Sequence, residues 1–274
     1  MSSKIYEMIT DRIIEKLEAG TIPWKQPFNQ EIAYNWKTQK AYRGINTMLL
    51  DGGEYATFKQ IKESGGTVKK GEKSHLVIFW KMVEKEDEEN PGEKVNIPVL
   101  RYYRVFRVGY QTEGINEKRE HETYEHDPIE EAEKIINNYK SKPKYSEISG
   151  GAWYKPLIDT INVPPKEDFD DIHLYYSVLF HESIHSTGHS SRLNREGVTK
   201  ANKFGSFEYS KEELVAEIGA SMLCGVCGIS NETIDNSAAY IKGWLSRLKN
   251  DKTFIVSAAQ RAQKASDHIL GKEF

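Results

Sequence analysis

The chain opens on a helical pattern. Tyr6, Ile9, Ile13 and Leu17 recur at the spacing that lines up apolar side chains on one helix face, Gly20 follows as a stop, and Pro23 blocks continuation. A polar stretch then carries Trp24, Phe28, Tyr34 and Trp36, followed by Tyr42-Arg43-Gly44-Ile45-Asn46. Thr57 with Gln60 three residues on forms a capping box, which predicts a short helix ending at the Gly65-Gly66 break. Two runs rich in β-branched and aromatic residues, 75–83 and 95–108, predict strands. Between them lies an acidic surface loop, 84–93, closed by Pro91-Gly92.

Residues 116–127 have no hydrophobic period and end at Asp127-Pro128, the signature of an N-cap followed by the first helical residue. This predicts an α+β protein of two domains, 1–115 and 128–274, joined by a linker over 116–127. In the second domain the pattern predicts a helix through Tyr139, a strand pair turning at Gly150-Gly151, and strands through Trp153 and Ile161. A long helix then starts near Asp170 or Asp171.

The composition of 274 residues, 38% hydrophobic, supplies a core of that size. Cys224 and Cys227 are the only cysteines, so no disulfide framework exists; lying in an apolar helix, they are expected to be small core residues. No run of 18 apolar residues occurs and no signal-peptide pattern opens the chain, so no membrane association and a cytosolic location are expected. The net charge of −3 hides an asymmetry. Residues 1–114 carry +2 and residues 115–274 carry −5, and without the acidic loop the first stretch stands at 17 basic against 10 acidic residues. A basic first domain suits phosphate neutralisation.

The chemistry is concentrated at His181-Glu182-Ser183-Ile184-His185, an H-E-x-x-H motif on the predicted long helix. Histidines four residues apart share a helix face, so His181 and His185 can bind one zinc ion, or another divalent metal, per chain. Glu182 is one step round, placed to act as general base towards a water at the metal. The metzincin spacing would require a histidine where Ser191 stands. The better source of a third ligand is Glu213-Leu214-Val215-Ala216-Glu217-Ile218-Gly219-Ala220, which resembles the second helix of glutamate-ligand zincins and whose small residues permit close helix approach. Glu213 is the favoured ligand and Glu217 the favoured acceptor orienting a histidine, with the reverse order still open. The plainer alternatives are Glu213 as capping partner of Ser210 and Glu217 as a buried acid paired with a basic group. Tyr209 and Tyr240 are candidate donors to a developing oxyanion.

In the first domain basic and aromatic residues interleave, from Trp24-Lys25 to Trp80-Lys81 and Arg101-Tyr102-Tyr103-Arg104. Such a mixture suits a single strand, whose exposed bases stack on rings while cations track its backbone. The competing expectation is that Phe79, Trp80 and Tyr102 are sheet core.

At Thr10-Asp11-Arg12-Ile13-Ile14, 17–24, Tyr42-Arg43-Gly44-Ile45-Asn46, Thr57-Phe58-Lys59-Gln60 and Lys70-Gly71-Glu72-Lys73 the chain resembles the N-terminal domain of ArdC-type antirestriction proteins. Tyr175-Tyr176, His181 through His189, Arg192-Leu193-Asn194-Arg195 and 212–219 resemble the zincin-like metallopeptidase domain of the same proteins. The resemblance implies single-stranded DNA binding and protection of incoming mobile-element DNA from restriction. Carried onto this chain, it points to Trp24, Trp36, Arg43, Asn46, Lys59, Lys70, Lys73 and Arg104 as DNA-facing. The match departs at Tyr55-Ala56 and at Val108-Gly109-Tyr110, where a strand end is remodelled. Two further readings stand beside a DNA-binding metallopeptidase with a host protein as substrate. One is a DNA-occluding protein with a structural or vestigial metal site; the other is a peptidase whose basic domain recognises a protein.

Overall fold

The computed structural model describes residues 2–25, 32–86, 90, 94–119, 127–200, 207–229 and 238–272. The chain forms two compact units, 1–15 with 31–122 and 16–30 with 123–274. Residues 16–30 thus belong with the second unit, an exchange that a single boundary at 116–127 does not contain. Phe28 and most of the acidic loop and the linker fall outside the described residues.

Helix α1 (Ser2–Glu18) buries Ile9, Ile13 and Leu17, as its period predicts, and Gly20 follows it at φ 80°, a conformation suited to glycine. In the first unit β1 (Ala33–Asn35), α2 (Asn46–Leu49), β2 (Gly53–Thr57), α3 (Phe58–Glu63) and β3 (Thr67–Val68) lead to a long hairpin of β4 (His75–Glu86) and β5 (Lys94–Arg107). The short strand β6 (Thr112–Glu113) pairs with β3. The main sheet has the order β1-β2-β5-β4, with β1 parallel to β2 and the remaining pairs antiparallel. The Thr57 and Gln60 capping box is present in full, which starts α3 where the sequence places it. The Val108-Gly109-Tyr110 departure makes a tight turn. Val108 is buried, Gly109 adopts φ 77°, and the Arg107 guanidinium lies 4.0 Å over the Tyr110 ring.

In the second unit α4 (Pro128–Asn138) starts on Asp127, whose carboxylate accepts from the Ile129 and Glu130 amides. Then come β7 (Lys144–Ser146), β8 (Trp153–Lys155) and β9 (Thr160–Asn162) in the order β7-β9-β8. The strand pair expected to turn at Gly150-Gly151 is therefore not a hairpin: β9 inserts between its two strands, parallel to β7 and antiparallel to β8. Helices α5 (Ile172–Ser186), α6 (Glu196–Thr199), α7 (Phe207–Cys227), α8 (Ala238–Asn250) and α9 (Phe254–Ile269) complete the unit. Helix α7 packs against both α5 and α9, burying Phe180, Ile184, Leu214, Val215, Ile218 and Leu223. Cys224 and Cys227 are free thiols buried in this core.

Candidate metal centre

Helix α5 begins on Asp171, whose side chain accepts from the His173 amide, and turns off at Thr187, whose hydroxyl donates to the Ile184 carbonyl at 2.6 Å. Gly188 follows because a Cβ there would lie 2.4 Å from the Val198 side chain. Helix α7 comes close for the same kind of reason: a Cβ on Gly219 would lie 2.7 Å from Ile184, one residue before His185. That near approach brings the acids of α7 to the histidines of α5.

His181, His185 and Glu213 converge, each offering a ligand atom within 4.8 Å of the others. The two Nε2 atoms are 3.1 Å apart, and the Glu213 carboxylate oxygens lie 3.6 Å from His181 Nε2 and 3.5 Å from His185 Nε2. Ligands about 2.0 to 2.1 Å from a tetrahedral ion stand about 3.3 Å from one another. The donor set of two imidazoles and a carboxylate, at that separation, fits a divalent metal. The electrostatics agree. Burial acts to lower His185, but Glu212, Glu213 and Glu182 outweigh it and push the imidazole up to about 9. Burial likewise acts to raise Glu213, and both histidines hold it down at about 2. Clustered acids hold a proton on the His185 imidazole, where a cation would serve the same charge.

The far side of His185 is held by a residue that the sequence reading missed. Its Nδ1 lies 3.5 Å from Glu212, a buried carboxylate clamped by the buried Arg195 guanidinium at 2.6 and 3.1 Å. Arg195 also donates to the Ile184 carbonyl at 2.8 Å and to the Thr187 hydroxyl at 2.6 Å, which closes the C-terminal end of α5. A carboxylate behind a ligand histidine fixes the ring and its tautomer. The available signal was the pair of acids at 212 and 213, of which one faces each nitrogen of the same ring.

Glu217, expected to orient a histidine, does something else. It accepts from the Trp24 indole N–H at 3.0 Å and from the Tyr240 hydroxyl, and burial pushes its carboxyl up. The alternative of a basic partner does not hold either, because these partners are neutral donors. Nor is Glu213 a capping partner of Ser210, since α7 is already helical from Phe207. Of the two tyrosines, Tyr209 hydrogen-bonds Glu213, and burial followed by the charge of Glu213 raises it to about 12.

Three of the expected DNA-facing residues are structural. Trp24 is 2% exposed and packs edge-on against Trp244, so its faces cannot receive a base. Trp36 is buried, its N–H given to the Asn116 carbonyl at 2.8 Å and its ring covered by Lys118. Buried Asn46 pairs with both backbone groups of Ile78 at 2.9 Å, satisfying the edge strand β4. Arg43, Lys59, Lys70, Lys73 and Arg104 are exposed. The expectation that Phe79, Trp80 and Tyr102 form sheet core fails in the opposite sense: they stand 41%, 43% and 45% exposed, because the hairpin runs beyond the elements that cover its base.

A model of the N-terminal domain of anti-restriction factor ArdC matches residues 3–106, and one of a zincin-like metallopeptidase matches residues 130–261. The crystal structure of antirestriction ArdC protein from the R388 plasmid is similar in its metal-free form, at 35% identity and TM-score 0.73 over 98% of this chain and 99% of that one. Its Mn(II)-bound form gives 35% identity and TM-score 0.76 over 97% of each. The uncharacterized protein y4eC of Sinorhizobium fredii (strain NBRC 101917 / NGR234) is 31% identical over 98% of this chain and 92% of its own length. Two Escherichia coli DNA primases TraC are 33% and 32% identical over 98% of this chain, which spans only 27% and 20% of their lengths.

Proposed function

The chain belongs to the ArdC family of antirestriction proteins, with a zincin-like domain in its second half, and from that premise we propose a division of labour between its units. The first unit binds single-stranded DNA of incoming mobile elements. The second holds one divalent ion, zinc by preference, on His181, His185 and Glu213, and hydrolyses a peptide bond of a host protein. The carrying observation is the convergence of three ligand atoms at tetrahedral separations between two helices that a glycine lets touch. A Mn(II)-bound form of the R388 protein supports a divalent ion here.

Bound there, the ion supplies Lewis acidity that activates a water and polarises a carbonyl. The chain's own groups do the rest. Glu182, buried one step round α5 from His181, accepts the proton of the attacking water at its carboxylate and returns it to the leaving amine. Tyr209 keeps its proton at neutral pH and, hydrogen-bonded to Glu213, stands beside the three ligands, where it is placed to donate to the developing oxyanion. Glu212 and Arg195 hold the His185 ring.

For the first unit, the support is its exposed cations, Arg43, Lys59, Lys70, Lys73 and Arg104, which supply the field that a phosphate backbone needs. Among the described residues no helix is long and apolar enough to cross a membrane.

Glu182→Gln tests the reading. Metal content and DNA affinity should persist while peptide hydrolysis falls by about two to four orders of magnitude. Antirestriction retained in full by that variant would favour protection by occlusion alone. DNA affinity should fall steeply with salt and favour single strands over duplex. A flat salt response defeats the DNA half of the proposal.

A further inference from the structure

The β4–β5 hairpin has two chemically different faces. Its register pairs Val77 with Tyr103, Phe79 with Arg101, Lys81 with Val99 and Lys85 with Val95, so odd-numbered residues of both strands share one face. Among the described residues of the paired strands, that face carries Lys81, Lys85 and Arg101 and no acid. The even face carries Glu84 and Glu86 against Lys94 and Arg104, a balance of zero, with Lys94 and Glu84 paired at 3.1 Å.

The odd face opens into a groove at the foot of the hairpin, with a volume of about 350 Å³. A smaller groove of about 290 Å³ reaches the even-face pair Leu76 and Arg104, but it has the acids Asp11 and Glu15 in its lining and no phenylalanine, tyrosine or tryptophan ring beside its cations. In the larger groove Val77, Val105 and Tyr42 are buried and form the floor, while Phe79, Tyr103 and Lys81 rise exposed at the edge. The Phe79 and Tyr103 rings meet edge to face, with centroids 5.9 Å apart, and Phe79 leans on Tyr42 at 5.8 Å. Held by these contacts, each ring keeps a fixed orientation and still shows 41% and 44% of its surface. Fixed, half-open aromatic rings beside cations suit a flat, apolar-faced group attached to an anion.

We infer that this groove is a nucleotide subsite, in which an unstacked base of a single strand lies against Phe79 and Tyr103 while Lys81 and Arg101 meet its flanking phosphates. The inference rests on the single-strand reading above and goes beyond it by choosing one face of one hairpin. The volume lies at the low end for small-ligand sites, which suits one nucleotide rather than a duplex. A paired base hides its faces in the helical stack, so a duplex offers this groove only backbone.

The test is the affinity of the full chain for a labelled oligothymidylate, read by fluorescence anisotropy, for variants on the two faces. Phe79→Ala and Tyr103→Ala should each weaken binding about 5- to 100-fold. On the even face, Tyr102→Ala and Met82→Ala remove side chains as exposed as these and should leave affinity unchanged. Phe79→Leu keeps the apolar packing on Tyr42 and loses the ring face, so it should also weaken binding and carries the test if Phe79→Ala unfolds. An oligomer with one abasic position should bind more weakly to the wild type and equally well to Tyr103→Ala. Loss confined to the even-face variants, or wild-type affinity in the odd-face ones, overturns the groove while leaving single-strand binding intact. A wild type that ignores the oligomer defeats the underlying reading instead.

Discussion

The candidate metal cluster of the second unit and the hairpin proposed to meet DNA in the first are opposite kinds of surface. At the cluster the groups around His185 lock one another: His185 lies between Glu212 and Glu213, Glu212 is held by Arg195, and Arg195 is tied to the end of α5. On the hairpin the aromatic rings stand 41 to 45% exposed, with Phe79 and Tyr103 steadied by contacts between rings rather than by a buried polar network. A buried polar network is strongly coupled, because removing one member leaves another without a partner in a poorly solvating interior. An exposed face is a sum of nearly independent contributions. The first kind of site gives all-or-none effects, and the second gives graded ones.

Mutations should expose that contrast. The largest effect is expected for His185→Ala, which should abolish bound metal in elemental analysis of the purified protein, since two remaining ligands do not make a zincin site. Next, Arg195→Met strips the buried Glu212 of its guanidinium partner and leaves it only the His185 ring. It should cost about 3 to 5 kcal/mol in denaturant unfolding and weaken metal binding about 10- to 100-fold by calorimetric titration. The double change Arg195→Met with Glu212→Leu should recover most of the stability and none of the metal affinity, which separates the pair's structural role from its hold on His185.

Smaller effects follow. Gly219→Ala forces a methyl group against Ile184 and should cost about 1 to 3 kcal/mol, with metal affinity falling alongside because α7 must withdraw. Trp24→Phe removes the donor to Glu217 and should cost about 1 kcal/mol with DNA affinity unchanged; a loss of DNA binding there would return Trp24 to the DNA-facing set. At the graded end, Lys70→Ala and Lys73→Ala should each reduce the slope of log affinity against log salt by about one and leave the unfolding temperature where it was. Cooperative collapse of DNA binding from one such change would break the contrast.

Much of this was legible where the physics is local. A capping box is a contact over three residues, and Thr57 with Gln60 forms it. An Asp-Pro pair sets a helix start by one side chain and one fixed φ angle, and α4 starts there. Two histidines four apart share a helix face whatever surrounds the helix, so the convergence of His181 and His185 was decided within five residues. The choice of Glu213 as their acidic companion came from a pattern on a second helix, and the geometry brings it to both rings.

The remainder depended on residues far apart in the chain. Glu217 and Glu212 are both acids on one helix, and only the packing of α7 on α5 decides that Glu212 meets the histidine while Glu217 meets Trp24 and Tyr240. Trp24 has the same composition-level appeal as Phe79, yet one is enclosed by Trp244 and the other stands beyond the cover of the sheet. The split of the hairpin into a cationic and a neutral face is set by strand register, and a slip of one residue would mix the two. The sequence by itself therefore determined the chemistry on offer and the helices that carry it. Tertiary structure decided which side chains are buried partners and which face outward, because burial and pairing depend on what the rest of the chain brings alongside.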